Sequence, residues 1–86
     1  MVLEIAIGPK ADRFLQGVNQ QVFDRLSGKI KELAVNPQPR GAKKVLIEEG
    51  VFRIRAGMHR ILYSLENNNR VLLIVNIDKR SRVYKR

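Results

Sequence analysis

The fold is decided by residues 51–65, VFRIRAGMHRILYSL, in which two strand-like runs flank a break that contains a glycine. In the first run, alternation sends Phe52 and Ile54 to one face of a strand and Arg53 and Arg55 to the other. A short hairpin would bring the second run back alongside the first. The stretch therefore predicts part of an antiparallel sheet with one apolar face and one arginine-bearing face.

Apolar runs on both sides of this hairpin predict further strands. The predicted strands are residues 2–7, Val45 to Glu48, Val51 to Arg55, Arg60 to Leu65 and Val71 to Ile77. After the first strand, apolar residues at helical spacing predict one helix from Pro9 to about Val18. A second helix is expected to begin after Asn19, which can cap it, and to end at Asn36-Pro37.

The order of these elements predicts an α+β fold. We expect a β-α-α-β-β-β order, in which an antiparallel sheet carries a helical hairpin packed on one face. With 86 residues the chain is expected to form a single domain, residues 1–86, too short to enclose a deep substrate cavity. The outer face of the sheet is therefore where we expect a functional site.

Positive charge is concentrated in the second half of the chain. The formal net charge is +9, of which residues 1–36 contribute +1 and residues 37–86 contribute +8. Clusters of Lys and Arg bind nucleic acid because condensed counterions are released from the phosphates. The charge pattern favours a phosphate-rich partner, and the alternative is a solvated basic surface that only aids solubility.

Several classes of function are disfavoured by composition. The chain has no cysteine, which removes disulfides, thiol catalysis and thiolate metal sites. It has one histidine, and its carboxylates lack the spacing of a metal loop, so we predict no metal and no other cofactor. No signal-peptide pattern or apolar run of ~20 residues occurs, so we expect a cytoplasmic protein without a membrane partner.

A third arginine is expected beside the first two. Arg60 begins the second strand of the hairpin, which would place it opposite Arg53 and Arg55. Like charges that face each other across a sheet are unfavourable unless an anion lies between them, which favours a phosphate site. The alternative is that each arginine is solvated or forms a weak surface ion pair. His59 alternates away from Arg60, so we expect it in the core or at its rim rather than in catalysis.

The C-terminal segment, residues 78–86, adds five basic side chains and one tyrosine. This composition suits RNA, where cations hold phosphates and an aromatic ring stacks on an unstacked base. The alternative is a charged terminus without function. The residues that we predict to bind RNA outside the arginine cluster are Lys43, Lys44, Lys79, Arg82 and Lys85.

RNA can be cleaved without a metal. Its 2′-OH can attack the adjacent phosphate once a base removes the proton, while cations stabilise the added negative charge and an acid protonates the leaving 5′-oxygen. The residues themselves establish only that this chemistry is possible here.

The ordered series of motifs resembles the RelE/ParE toxin superfamily over nearly the whole chain. The matching pieces are Leu33 to Pro37 with Gly41 and Lys43, Phe52 to Gly57, His59 to Tyr63, Ile77 to Arg80, and Val83-Tyr84. The resemblance implies a RelE-like fold and a toxin of a type II toxin-antitoxin system. For the RelE type it also implies a metal-independent endoribonuclease that cleaves mRNA in the ribosomal A site and is silenced by an acidic, RelB-like antitoxin.

The resemblance also implies roles for individual residues. Arg53, Arg55, Arg60, Arg80 and Tyr84 match positions that line the mRNA-cleaving site of RelE-type members. Arg60 and Arg80 would bind the scissile phosphate, Arg80 would assist the leaving group, and Tyr84 would stack on the nucleotide. Arg53 and Arg55 stand where better-known members carry lysines, one of which is proposed as general base. Arginine, with a pKa above about 12, cannot serve as that base.

Two other functions remain open from the sequence. A ParE-like member of the same superfamily would inhibit DNA gyrase, and the missing lysines favour this alternative. Arg80 and Tyr84 favour the ribonuclease. A nonenzymatic module that binds RNA or the ribosome would also fit the charge.

Overall fold

The computed structural model describes residues 2–79, which form two helices and a five-stranded mixed sheet. The elements are β1 (Glu4–Ile7), α1 (Pro9–Gln16), α2 (Gln20–Val35), β2 (Lys43–Lys44), β3 (Val51–Ala56), β4 (His59–Glu66) and β5 (Val71–Lys79). The expected α+β class with a helical hairpin is confirmed. Residues 2–79 contain five strands, which equals the number of apolar runs predicted as strands and is one more than the β-α-α-β-β-β order counts.

The helix boundaries follow the local signals of the sequence. Pro9 is the first residue of α1, where its missing N–H has no intrahelical partner to lose. The backbone N–H of Val22 donates to the side chain of Asn19 over 2.9 Å, which caps α2 as predicted. At the other end Asn36 leaves the helical conformation, and Pro37 follows it.

The strand order in the sheet is β1-β5-β4-β3-β2. Neighbours pair antiparallel except β1 and β5, which run parallel with Ile5 opposite Leu72. The expectation of a wholly antiparallel sheet is therefore wrong for β1. The reason is topological: the two helices carry the chain from β1 across one face of the sheet. The later strands then begin at the far edge, and β5 returns beside β1 in the same direction.

The predicted strand from Val45 to Glu48 is wrong. The strand that pairs with β3 is Lys43–Lys44, and the apolar residues after it belong to the turn that connects the two strands. Leu46 and Ile47 are 95% and 92% exposed. The chain has to reverse before β3 begins, so these β-favouring side chains have no sheet neighbour on which to pack.

The core lies between the two helices and the inner face of the sheet. Its largest fully buried side chains are Tyr63, Leu26, Leu33, Ile61, Leu72, Ile74 and Ile77. In β5 one extra residue, Val75, interrupts the pairing, since Leu62 lies opposite Asn76 whereas Tyr63 lies opposite Ile74. This bulge lets Ile74 and Ile77 both face the core although they are three residues apart. Neither helix within residues 2–79 is long and apolar enough to cross a membrane.

Candidate nucleic-acid interface

Three arginines lie on the face of the sheet that is turned away from the helices. Arg55 lies directly opposite Arg60 across β3 and β4, and Arg53, two residues before Arg55, shares its face of the strand. Lys43 of β2 lies opposite Arg53 and adds a fourth cation. We call these four residues the arginine face. The expectation that Arg60 faces the other two arginines is confirmed by this register.

The hairpin between β3 and β4 sets this register. Ala56 pairs with His59, so only two residues form the turn, and Gly57 takes a φ of 64°. A positive φ at the first turn position suits a type II′ turn, whose twist matches that of the flanking strands. The turn therefore fixes Arg55 and Arg60 as the first outward-facing pair beyond it.

An acidic residue that the sequence reasoning did not single out also lies beside this cluster. Asp78 of β5 is opposite Arg60, and its Oδ1 lies 3.8 Å from Arg60 Nε. The position of Asp78 depends on the bulge, which a simple alternation of side chains does not predict. Asp78 thus partly balances the charge of Arg60 within the protein. The arginines therefore require a bound phosphate less than the sequence alone indicates.

A cleft of about 280 Å³ opens on the arginine face. The β2–β3 turn forms one wall and β3 and β4 form the other. Its lining residues are Lys44, Val45, Leu46, Ile47, Arg53, Arg60 and Leu62. The cleft combines guanidiniums with aliphatic side chains, which is a suitable surface for an anionic group attached to an apolar one.

The remaining predicted RNA-binding residues do not all join this face. Lys44 lies opposite Phe52, so its register differs from that of Lys43, although it lines the edge of the cleft. Lys79 lies opposite His59, which places it on the helix side of the sheet at the end of β5. Arg80, Arg82, Tyr84 and Lys85 lie outside the described residues.

The two buried titratable rings are on the opposite side of the sheet from the arginines. His59 is 5% exposed and its ring packs edge-on against Phe14, with the ring centroids 5.6 Å apart. Burial, and then the positive charges of Lys79 and Arg25, lower the pKa of His59 below its usual 6.5. Its expected place in the core is confirmed. Burial raises the pKa of Tyr63 to about 12.

The arginine face can therefore bind an anion and stabilise added negative charge, because its cations are fixed on a rigid sheet. The only carboxylate that residues 2–79 place in an ion pair with one of these arginines is that of Asp78. Within the same residues, no group of three or more His, Asp or Glu is arranged to hold a metal ion.

Comparisons with known proteins agree on the fold. The family model for the ParE toxin of type II toxin-antitoxin systems matches residues 6–84. A chain of the RelBE2 toxin-antitoxin complex from Mycobacterium tuberculosis has a TM-score of 0.79 at 22% identity, with 93% of this chain and 100% of that chain covered. A chain of the RelE–RelB complex from Pyrococcus horikoshii has a TM-score of 0.76 at 21% identity, with 95% of this chain and 99% of that chain covered.

The isolated RelE toxin of E. coli is similar to the same extent. Its TM-score is 0.76 at 19% identity, with 95% of this chain and 90% of that chain covered. No curated protein sequence matches the chain. At these identities the solved structures establish the RelE fold.

Proposed function

Because this chain belongs to the ParE toxin family of type II toxin-antitoxin systems, we propose that it is a toxin that cleaves mRNA in the ribosomal A site. The observation that carries this proposal is the arginine face, where Arg53, Arg55 and Arg60 stand on adjacent strands and a cleft opens beside Arg53 and Arg60. Such a surface suits the phosphate backbone of a single strand of RNA.

In the proposed reaction the 2′-OH of one nucleotide loses its proton to water and attacks the phosphate that follows it. The bond to the 5′-oxygen of the next nucleotide breaks, and that oxygen takes up a proton. The new bond makes a 2′,3′-cyclic phosphate. Arg60 would stabilise the negative charge that builds on the phosphate oxygens. From the resemblance, Arg80 would add a second guanidinium and assist the leaving oxygen, and Tyr84 would stack on a base. Lys43, Lys44, Arg82 and Lys85 would hold the flanking backbone, whereas Lys79 lies on the helix side of the sheet.

Positioning by the ribosome is part of the proposal. Neither Arg53 nor Arg55 can accept a proton at neutral pH. The rings of His59 and Tyr63 are buried on the other side of the sheet. A well-aligned attacking group can lower a barrier by roughly 7 to 11 kcal/mol, and the A site would supply that alignment. Free RNA is then expected to bind in a salt-sensitive way and to react slowly.

The partner that would silence this toxin is an acidic, RelB-like antitoxin. The charge of +9 supports this, because a protein of opposite charge complements the basic half and competes with RNA for it. The similar folds of toxins in RelE–RelB complexes are consistent with such a partner.

The proposal is tested with one mRNA that is offered free and in a programmed ribosome at equal toxin concentration, with the mRNA ends mapped. We expect cleavage in the ribosome and little in free RNA. Arg60→Ala should reduce the cleavage rate by about 100-fold to 1,000-fold, the usual cost of losing one transition-state donor. The matched control is Arg13→Ala, which removes the same charge from the exposed surface of α1 and should leave the rate unchanged.

Inhibition of DNA gyrase is the second candidate function. It is favoured by the match to the ParE family and by the arginines at positions 53 and 55. A supercoiling assay with purified gyrase, run beside the ribosome assay, separates the two. Gyrase inhibition without mRNA cleavage would overturn the ribonuclease, and RNA or ribosome binding without either activity would favour the nonenzymatic module.

A further inference from the structure

We propose that Asp78 is a positioning residue that holds the guanidinium of Arg60 in place before any substrate binds. The use of Arg60 in cleavage rests on the function proposed above. The ordering of Arg60 by Asp78 does not, and it has a measurement of its own.

The first argument comes from the cross-strand row at this end of the sheet. Arg60 lies between Arg55 on β3 and Asp78 on β5. Side chains directly opposite each other in an antiparallel pair are close enough to interact, so Arg60 has a repulsive neighbour on one side and an attractive one on the other. The two forces act in the same direction and draw the Arg60 side chain toward β5.

The second argument comes from burial. The Arg60 side chain is only 14% exposed, whereas that of Asp78 is 39% exposed, and Nε and Oδ1 are 3.8 Å apart. Both of these atoms are inaccessible to solvent. Attraction between charges that water does not reach is stronger than attraction at an open surface. Arg55, by contrast, is exposed, so it has no such restraint from burial.

These observations have a consequence for binding and catalysis. An arginine side chain loses considerable conformational freedom when it is fixed on a ligand, and a side chain that is already ordered loses less. An ordered Arg60 would present its guanidinium at the cleft in one orientation. Loss of Asp78 would leave the charge of Arg60 intact but remove the attraction that draws its side chain toward β5.

The substitution Asp78→Asn tests this because it keeps the size of the side chain and one oxygen while removing the charge. The chain becomes more positive by one, which favours RNA binding and offsets the cost of fixing a less ordered Arg60, so KM should change little. We expect kcat to fall roughly tenfold to 100-fold, because misplacement by about 1 Å can cost that much. Asp78→Glu, which restores the carboxylate, should recover part of kcat.

The control is Glu66→Gln. It removes a carboxylate from the same sheet, but at the far end of β4, where Glu66 accepts a hydrogen bond from Ser64. A simple effect of net charge would act through both variants. A specific effect on Arg60 requires Asp78→Asn to lower kcat while Glu66→Gln leaves it unchanged.

The activity-independent readout is the NMR signal of the Arg60 Nε–H group, assigned by its loss in Arg60→Lys. In the unsubstituted protein we expect a dispersed signal in slow exchange with water. In Asp78→Asn it should move toward the signals of exposed arginines and exchange faster, with the backbone spectrum showing that the fold is kept. If Asp78→Asn does not fold, Asp78→Glu is compared instead, and its Nε–H signal should shift.

An unchanged Arg60 signal in a folded Asp78→Asn variant would overturn the proposal, whatever the activity. A changed signal with unaltered kcat in an active toxin would overturn the catalytic part of it. If the unsubstituted protein cleaves nothing, the proposed function fails, while the NMR comparison still decides whether Asp78 orders Arg60.

Discussion

The buried hydroxyl of Tyr63 donates a 2.6 Å hydrogen bond to the backbone carbonyl of Pro37, 26 residues earlier in the chain. Tyr63 is on the central strand β4 and Pro37 lies two residues beyond the end of α2, so one bond joins the sheet to the segment that leads into β2. Burial raises the pKa of Tyr63 to about 12, so the phenol stays protonated and able to donate this bond even in alkaline solution.

We predict that Tyr63→Phe destabilises the fold by roughly 1 kcal/mol, because it removes the donor and leaves the Pro37 carbonyl without this bond. The ring still fills the same space beside Phe52, whose centroid lies 5.7 Å away. Urea unfolding should show a lower midpoint with an unchanged m-value. A midpoint equal to that of the unsubstituted protein would mean that the bond contributes no net stability.

The secondary structure is largely predictable from local signals, because caps, helix breakers and alternation act over a few residues. Asn19, Pro9 and Gly57 each have the role that the sequence predicts for them. The pairing of Arg55 with Arg60 is also predictable, since a two-residue turn fixes the register of its own strands.

The features that sequence reasoning misses depend on contacts between distant segments. The extra residue at Val75 in β5 brings Asp78 to the side of Arg60, and no local pattern in β5 marks that bulge. The parallel pairing of β1 likewise depends on where the chain returns after both helices. Leu46 and Ile47 have strand propensity but no strand neighbour, and propensity alone does not reveal this.

A matched pair of isoleucine substitutions tests the correction in the β2–β3 turn. Ile61 is 0% exposed in β4, whereas Ile47 is 92% exposed in the turn. Ile61→Ala should cost about 2 to 5 kcal/mol of unfolding free energy, because it removes buried methyl groups and leaves a cavity. Ile47→Ala should change it by less than about 0.5 kcal/mol.

Chemical denaturation of both variants measures the difference. If Ile47→Ala lowered the unfolding free energy by as much as Ile61→Ala, Ile47 would belong to a packed strand, as the sequence pattern predicts.

His59 makes the stability depend on pH in a defined direction. Its folded-state pKa is lowered, first by burial and then by Lys79 and Arg25, so the unfolded chain binds more protons near and below the usual value of 6.5. The unfolding free energy should therefore rise with pH up to about pH 6.5 and decrease as the pH falls below it. His59 is the only histidine in the chain.

The measurement is urea unfolding between about pH 7 and about pH 5, with His59→Phe as the comparison. Phenylalanine keeps an aromatic ring against Phe14 but does not titrate. The variant should lose most of the pH dependence in this range. If the unfolding free energy changes equally with pH in both proteins, groups other than His59 cause the pH dependence.

The last prediction concerns the arginine that lies opposite Arg60. Lysine, unlike arginine, can lose its proton near neutral pH when like charges surround it, because they disfavour its charged form. A lysine at position 55 would have Arg60 directly across the strand pair, and the exposed side chain at this position would retain access to RNA. Arg55→Lys should therefore supply a proton acceptor that neither Arg53 nor Arg55 provides.

If the protein is a ribosome-dependent ribonuclease, we expect Arg55→Lys to raise the cleavage rate, by up to about 100-fold if the new amine acts as general base. The rate should then increase with pH and reach a plateau, whereas the unsubstituted toxin should lack that titration. Arg53→Lys is the companion variant, because position 53 lies opposite Leu62 on β4 but opposite Lys43 on β2. A rise in both variants would assign the effect to neighbouring cations in general, and a rise in Arg55→Lys alone would assign it to Arg60. A rate that falls equally in both variants would mean that the guanidiniums act by holding phosphate and that neither position is suited to accept the proton.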